Sequence, residues 1–133
     1  MTLALPLVAL VDDDKVFQLI ASRSIKATNF KGTILQFNNG GEAIEYLEAH
    51  AHEELLLPDV LFLDINMPVV DGWTFLEDYI DLKPRIQKPI RIYMVSSSLD
   101  PKDIERAKSF EEIREYISKP ISQEKFAQLV TLD

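Results

Sequence analysis

The fold is decided by one stretch, Leu57-Pro58-Asp59-Val60-Leu61-Phe62-Leu63-Asp64-Ile65-Asn66-Met67-Pro68, in which four apolar residues lead directly into Asp64. Prolines stand before and after the apolar run. Such an unbroken run is typical of a strand that is buried on both faces, as strands are in parallel sheets covered by helices. That strand would bring Asp64 to its carboxyl end, the edge at which open α/β sheets bind ligands. Asp64 is therefore the first candidate functional group.

Four other segments have the composition of strands, and five have that of helices. The further strands are predicted at residues 7–11, 33–37, 90–95 and 116–118. The helices are indicated by apolar residues at helical spacing, in these sets: Val16, Leu19 and Ile20; Ala43, Ile44 and Leu47; Gly72, Phe75, Leu76, Tyr79 and Ile80; Ile104 and Ala107; Phe126, Leu129 and Val130.

Capping residues set the predicted ends of the helices. The first helix is expected to begin near Lys15 after an aspartate cap, and the last to follow a Ser122 cap. The fourth follows Asp100-Pro101, which suits an N-cap and first helical position. Trp73 lies one place off the apolar series of the third helix and is predicted at the rim of the core.

The alternation of strands and helices predicts an α/β fold: a five-stranded parallel sheet flanked by five helices and joined by right-handed crossovers. At 133 residues with 47% hydrophobic content, the chain has the size and composition of one globular domain, residues 1–133.

Charge and composition narrow the classes of partner. A formal net charge of −8 argues against direct binding to nucleic acid or anionic membrane. There is no cysteine, which excludes disulfides and thiolate metal sites. No apolar run approaches the roughly 18 residues of a membrane span, and residues 1–6 lack the basic start of a signal peptide. The predicted compartment is the cytoplasm, and the predicted partners are proteins, metal cations or small molecules.

Polar side chains follow four of the five predicted strands. Asp12 and Asp13 follow the first, Asp64 the third, Ser96 the fourth and Lys119 the fifth. Because the carboxyl ends of parallel strands share one edge, we expect these groups in one crevice. Three crowded carboxylates would repel each other unless a cation balanced their charge. Oxygen ligands favour a hard ion, which predicts Mg²⁺, with Mn²⁺ as a substitute.

These groups together predict chemistry on a phosphoryl group. A cation, an ammonium group and a hydroxyl can clamp phosphoryl oxygens, whose transfer depends on positioning and charge stabilisation. Here they surround Asp64, and an aspartate carboxylate is an established phosphoryl acceptor.

Four motifs stand in order along the chain: Val11-Asp12-Asp13, Asp64-Ile65-Asn66-Met67-Pro68 with Gly72 beyond, Val95-Ser96-Ser97, and Tyr116-Ile117-Ser118-Lys119-Pro120. Each alone is a weak signal, but together at this spacing they resemble the receiver domain of a two-component response regulator, of the single-domain type similar to the chemotaxis regulator. The resemblance covers residues 7–130. It implies a flavodoxin-like, doubly wound sheet with strand order 2-1-3-4-5.

The resemblance implies a metal site built from the acids. Asp64 would be the phosphoacceptor and a ligand to Mg²⁺. Asp13 would bind the ion directly, Asp12 would bind it through water, and the backbone carbonyl of Asn66 would complete the protein ligands.

The resemblance also implies groups that hold the phosphate and respond to it. Lys119 would hold a phosphoryl oxygen, and its bond to Pro120 would be cis. Ser96 would hydrogen-bond the phosphoryl group and move inward, with Tyr116 rotating in response, although simple packing explains Tyr116 equally well. Ser97 would lie at the mouth of the phosphate site.

The chain departs from the receiver pattern in three places. Ser96 stands where threonine is commoner, which keeps the hydroxyl, so signalling should survive. Ser97 stands where alanine or glycine is usual. Residues 108–115 replace a small turn, so the surface around the fourth helix is the part that transfers least.

The implied partners are a sensor histidine kinase or a histidine phosphotransfer protein as donor and a downstream protein as target. No enzymatic activity is predicted beyond self-phosphorylation and self-dephosphorylation.

Three alternative functions remain open. The first is a phosphatase resembling haloacid dehalogenases, which uses similar groups, but its nucleophile follows the first strand in an Asp-x-Asp arrangement, whereas Asp64 follows the third and Asn66 stands two places on. The second is a phosphorylation-independent receiver-like adaptor, and the third is a flavodoxin-like cofactor binder. The complete acidic set argues against the adaptor, and the lack of a phosphate-cradling loop after the first strand argues against the cofactor binder.

Overall fold

Five strands and five α-helices alternate along the chain in the computed structural model, which describes residues 6–131. Residues 1–5, where no signal peptide is predicted, lie outside that range. The strands are β1 (Leu7–Val11), β2 (Thr33–Phe37), β3 (Val60–Leu63), β4 (Arg91–Ser96) and β5 (Ile113–Ser118). The helices are α1 (Lys15–Lys26), α2 (Gly40–Ala49), α3 (Gly72–Leu82), α4 (Pro101–Lys108) and α5 (Gln123–Val130).

The strands form one parallel sheet in the order β2-β1-β3-β4-β5. This confirms the predicted fold class and strand order. Two strands differ from the prediction in their bounds. β4 is shifted by one residue, and β5 begins at Ile113, three residues before the predicted 116, because the segment after α4 already pairs with β4. Within residues 6–131, no helix has the length and apolar character needed to cross a membrane.

The central strands are buried on both faces, as their apolar runs predict. Alternate residues of β1 and β3 belong to two separate hydrophobic clusters. Ala9 and Leu61 pack in the cluster that contains residues of α2, α3 and α4. Leu10 and Phe62 pack in the cluster that contains residues of α1 and α5. The sheet is therefore covered by helices on both sides, and only its edges are open to ligands.

The apolar stripe of α1, whose spacing predicts the helix itself, does not face the core. Val16, Leu19 and Ile20 are 64%, 51% and 54% exposed. The side chains that α1 buries are Gln18, Ala21, Ser22 and Ile25. Hydrogen bonds from the Gln18 amide to strand carbonyls set the rotation of the helix, so a mixed face packs on the sheet. An aliphatic stripe is left in solvent.

The exposure of two residues of α3 also differs from what the apolar series predicts. Ile80 belongs to the series but is 39% exposed. Trp73 is one place off it yet only 7% exposed, because its ring stacks on Phe110 with a centroid distance of 5.9 Å and lies under the guanidinium of Arg106. The segment that departs from the receiver pattern thus supplies part of the cover of Trp73.

Each helix begins with a side chain that accepts a hydrogen bond from a backbone N–H of its first turn. Such caps satisfy donors that the helix itself leaves free and define the residue at which the helix starts. All five caps lie in loops that follow the carboxyl ends of strands, so these loops are fixed where the candidate site lies. The caps are Asp14, Asn39, Asp71, Asp100 and Ser122.

We predict that Gly72→Ala destabilises the protein by about 1–3 kcal/mol, the usual cost of overpacking. A Cβ at Gly72 would lie 2.4 Å from the carbonyl oxygen of Asp64 and 3.0 Å from Cα of Ile65, and backbone atoms cannot rotate away. The matched control is Gly41→Ala in the first turn of α2, whose nearest contacts, at 3.1 and 3.2 Å, are side-chain atoms. Urea unfolding should show a loss for Gly72→Ala alone; equal stabilities would contradict the steric argument.

Candidate functional site

Three carboxylates meet at the carboxyl edge of the sheet. Asp12, Asp13 and Asp64 each offer an oxygen, and these oxygens lie within 4.8 Å of one another. Asp12 and Asp64 are 1% and 8% exposed, whereas Asp13 is exposed. The strand ladder continues into the site, since the backbone N–H of Asp64 donates to the carbonyl of Val11. The structure thus brings together the acids that the sequence predicts, from β1 and β3.

Lys119 joins the acids from the end of β5. Its Nζ lies 2.8 Å from Oδ2 of Asp12 and 3.9 Å from Oδ1 of Asp64. Its backbone N–H donates to the carbonyl of Ser96, and the Lys119-Pro120 bond is cis, as the resemblance implies. The ammonium group therefore pairs with Asp12 and lies within reach of Asp64.

The hydroxyl groups of the β4–α4 loop form a separate part of the site. Ser96 is 1% exposed, and its Oγ accepts a hydrogen bond from the backbone N–H of Ser98. Ser97 is exposed. The hydroxyl of Tyr116 donates to the carbonyl of Ser98 over 2.9 Å. Tyr116 is thus tied to the loop that carries the serines.

The β3–α3 loop carries Asn66, which is exposed two residues beyond Asp64. A hydrogen bond from the backbone N–H of Gly72 to the carbonyl of Ile65 joins the two ends of this loop. Its tip is Val69, which is 93% exposed with φ of 68°, a left-handed conformation that β-branched residues rarely adopt. The loop therefore carries Asn66 two residues beyond Asp64 and exposes an aliphatic side chain at its tip.

The acids carry more negative charge than Lys119 balances. The pKa of Asp64 is raised to about 6, first by burial and then by the charge of Asp12, against a lowering influence of Lys119. Burial also raises the pKa of Asp12, although Lys119 and the N–H of Asp14 lower it. Clustered carboxylates with oxygen donors alone suit a hard divalent cation. The residues present therefore fit the predicted ion.

Two residues of α1 take part in the site although no motif points to them. Gln18 is 4% exposed, and its Nε2 lies 3.0–3.2 Å from the carbonyl oxygens of Leu10, Asp12 and Phe37. The ring of Phe17 lies under Nζ of Lys119, 4.5 Å from its centroid. In sequence, Gln18 looks like a solvent-facing helix residue and Phe17 like a core residue. Their roles depend on the rotation of α1, which the sequence does not reveal.

An apolar groove lies beside the acids, between α1 and α5. It is a cavity of about 280 Å³, and the residues that line it include Phe17, Ile20, Pro120 and Phe126, with Lys119 at its wall. Val16 of α1 also lines the groove and is exposed, as is Leu19 on the same helix. The site is therefore flanked by an apolar surface that the described residues leave open.

Comparison with known proteins identifies the family. An open parallel sheet with acids, a hydroxyl and a lysine at its carboxyl edge defines a class of phosphate-handling α/β domain. The family model described as "Response regulator receiver domain" matches residues 8–131. The chain therefore belongs to the response regulator receiver domain family. This confirms the resemblance and supports the interpretation as a phosphoacceptor signalling module over the phosphatase alternative.

Individual relatives agree with this assignment. The chain is 28% identical over 124 residues to the probable methanogenesis regulatory protein FilR2 of Methanothrix harundinacea, covering 93% of this chain and 78% of that protein. It spans between 14% and 24% of the length of six further curated relatives, so the likeness to them concerns one segment of each.

Solved structures show the same fold. A two-component response regulator from Cytophaga hutchinsonii has 26% identity and a TM-score of 0.81, with 96% of this chain and 95% of that chain covered. The Mn²⁺-bound form of response regulator Rcp1 has 20% identity and a TM-score of 0.73, with 94% and 88% covered, and shows the likeness of fold.

We predict that Asp64→Asn stabilises the metal-free protein by about 3 kcal/mol at pH 7.5. The raised pKa means that the folded state binds the Asp64 proton more tightly than the unfolded state. Wild-type stability should therefore fall as the pH rises from about 4 to about 6, whereas the asparagine variant lacks this loss.

Thermal unfolding in EDTA across this pH range tests the prediction. The gain from Asp64→Asn should be small near pH 4 and complete above pH 7. Asp78→Asn, at an exposed aspartate of α3, is the control and should show no such growth. An Asp64→Asn protein that is no more stable than the wild type at pH 7.5 would show that the charged carboxylate of Asp64 does not destabilise the folded state.

Proposed function

We propose that the protein is a response regulator unit, residues 1–133, in which Asp64 accepts a phosphoryl group and the phosphorylated form changes its protein contacts. The observation that carries the proposal is the meeting of Asp12, Asp13 and Asp64 within 4.8 Å, with Nζ of Lys119 3.9 Å from Asp64. Within residues 6–131, no other group of three or more candidate ligands of this kind is found.

The proposed ion is Mg²⁺, which Mn²⁺ can replace. Asp13 and Asp64 would bind it through their carboxylates, Asn66 through its backbone carbonyl and Asp12 through water. When bound, the ion neutralises the acids and the developing charge on the phosphoryl oxygens.

In the transfer itself, a carboxylate oxygen of Asp64 forms the new bond to phosphorus while the bond from phosphorus to the donor nitrogen breaks. The departing imidazole keeps that electron pair, and because its other ring nitrogen already carries a proton in the phosphorylated donor, it leaves as neutral histidine. Lys119 would then pass from Asp12 to a phosphoryl oxygen, a short move given that its Nζ already lies between Asp12 and Asp64. Charge-assisted hydrogen bonds of this kind hold a phosphoryl group firmly.

The response would start at Ser96. The Oγ of Ser96 accepts a hydrogen bond from the backbone N–H of Ser98. If the Ser96 hydroxyl turns toward the phosphoryl group, this hydrogen bond to the β4–α4 loop changes. Tyr116 is hydrogen-bonded to the carbonyl of Ser98, which makes it the side chain next in line to move. A local change at the phosphate would thereby shift the conformational equilibrium of the surface around α4 and β5.

The proposed donor is a sensor histidine kinase or a histidine phosphotransfer protein, and the proposed recipient of the signal is a downstream protein. The donor must reach Asp64, so its surface has to cover the rim of the crevice. Val16 and Ile20 line the groove beside Lys119, and together with Leu19 of α1 they give that rim exposed aliphatic contacts. The acidic, cysteine-free composition fits the cytoplasm, which we propose as the compartment.

Catalytic turnover is not part of the proposal beyond self-phosphorylation and self-dephosphorylation of Asp64. In a dehalogenase-type phosphatase the nucleophile follows the first strand, whereas Asp64 follows β3. The family match likewise favours signalling.

Incubation with acetyl phosphate and Mg²⁺ should add one phosphoryl group to the wild type, measured as intact mass. EDTA and Asp64→Asn should each abolish the addition. Asp14→Asn is the matched control, because Asp14 is a helix cap outside the cluster and asparagine caps equally well; it should be phosphorylated like the wild type. An unchanged wild-type mass, or addition that survives Asp64→Asn, would overturn the assignment.

A further inference from the structure

Lys119 is held from two sides before any phosphate is present. On one side, Oδ2 of Asp12 lies 2.8 Å from its Nζ. On the other, Nζ lies 4.5 Å from the ring centroid of Phe17. The Lys119 side chain is 17% exposed, so water reaches it on little of its surface.

The aromatic contact covers a side of the Lys119 ammonium group that Asp12 does not. An ammonium group on a flexible stem is strongly hydrated and is drawn toward solvent. A move into solvent would take Lys119 away from Asp64, from whose Oδ1 its Nζ now lies 3.9 Å. The face of an aromatic ring attracts a cation without fixing it in one direction, and the attraction strengthens when water is removed. A ring at this place can keep the ammonium near both acids.

We propose that Phe17 is a positioning residue for phosphoryl transfer: its ring holds Lys119 between Asp12 and Asp64, so that the ammonium passes to a phosphoryl oxygen without first returning to solvent. This inference rests on the proposed function of Asp64. It assigns a role in the reaction to a residue of α1 that lies outside the four motifs.

Phe17 also connects the site to the surface. The ring lines the cavity between α1 and α5 together with Ile20 and Pro120. The residue that holds Lys119 is therefore part of the wall that a docked phosphodonor would meet.

The kinetic test compares ring-free and ring-retaining variants. With phosphoramidate and Mg²⁺, Phe17→Leu should lower the phosphorylation rate constant about two- to five-fold, the range expected from loss of one cation–π contact. Phe17→Tyr keeps the ring and should restore the rate. The matched control is Phe30→Leu, a half-buried phenylalanine packed against the same hydrophobic cluster away from the acids, which should keep the wild-type rate. Phe17→Met is a second ring-free variant if Phe17→Leu lowers stability.

The second readout needs no phosphorylation. Methylene protons of Lys119 next to Nζ should resonate upfield in the wild type and in Phe17→Tyr, because they lie over a ring, and should move to ordinary positions in Phe17→Leu. An absent upfield shift in the wild type, or a folded Phe17→Leu that is phosphorylated as fast as wild type, would overturn the proposal. A wild type that takes no phosphoryl group would instead overturn the proposed function, and the upfield shift alone would then decide whether Phe17 holds Lys119.

Discussion

The mutual repulsion of three carboxylates at one edge of a sheet is the constraint on which the site depends. Asp12 and Asp64 are buried next to each other, and Lys119 balances only one charge. Burial first, and then the charge of Asp12, raises the pKa of Asp64 to about 6. A fold selected for stability alone would not leave this charge unbalanced. This electrostatic cost is relieved when a cation and a phosphoryl group bind, because the charges of the site then have partners.

The parallel sheet brings these groups to one edge although they are far apart in the sequence. Acids that follow β1 and β3, a serine at the end of β4 and a lysine after β5 all lie at the carboxyl edge of the sheet, because parallel strands end at one edge. Helix caps fix the loops that carry these groups, and Gly72 lets α3 approach the backbone of Asp64 without a side chain between them. The hydrophobic layers thus set the distances in the site.

The sequence predicts the fold and the motif residues because both depend on one-dimensional signals: apolar runs, caps and polar residues at strand ends. It fails where the answer depends on how an element is rotated. The stripe of Val16, Leu19 and Ile20 is real, but the Gln18 amide, bonded to strand carbonyls, turns it outward. The contact of Phe17 with Lys119 follows from the same rotation and has no motif. The sequence does not reveal the start of β5 because two of its first three residues, Arg114 and Glu115, are charged.

The central claim is that these acids form a single site for a divalent cation, and amide NMR during titration with Mn²⁺ tests it most directly. Paramagnetic broadening should begin at residues 12–14 and 64–66, where the carboxylates lie, and excess Mg²⁺ should reverse it because both ions compete for the same oxygens. Asp13→Asn should weaken the effect without moving it. Broadening that begins elsewhere, or that Mg²⁺ does not reverse, would contradict the account.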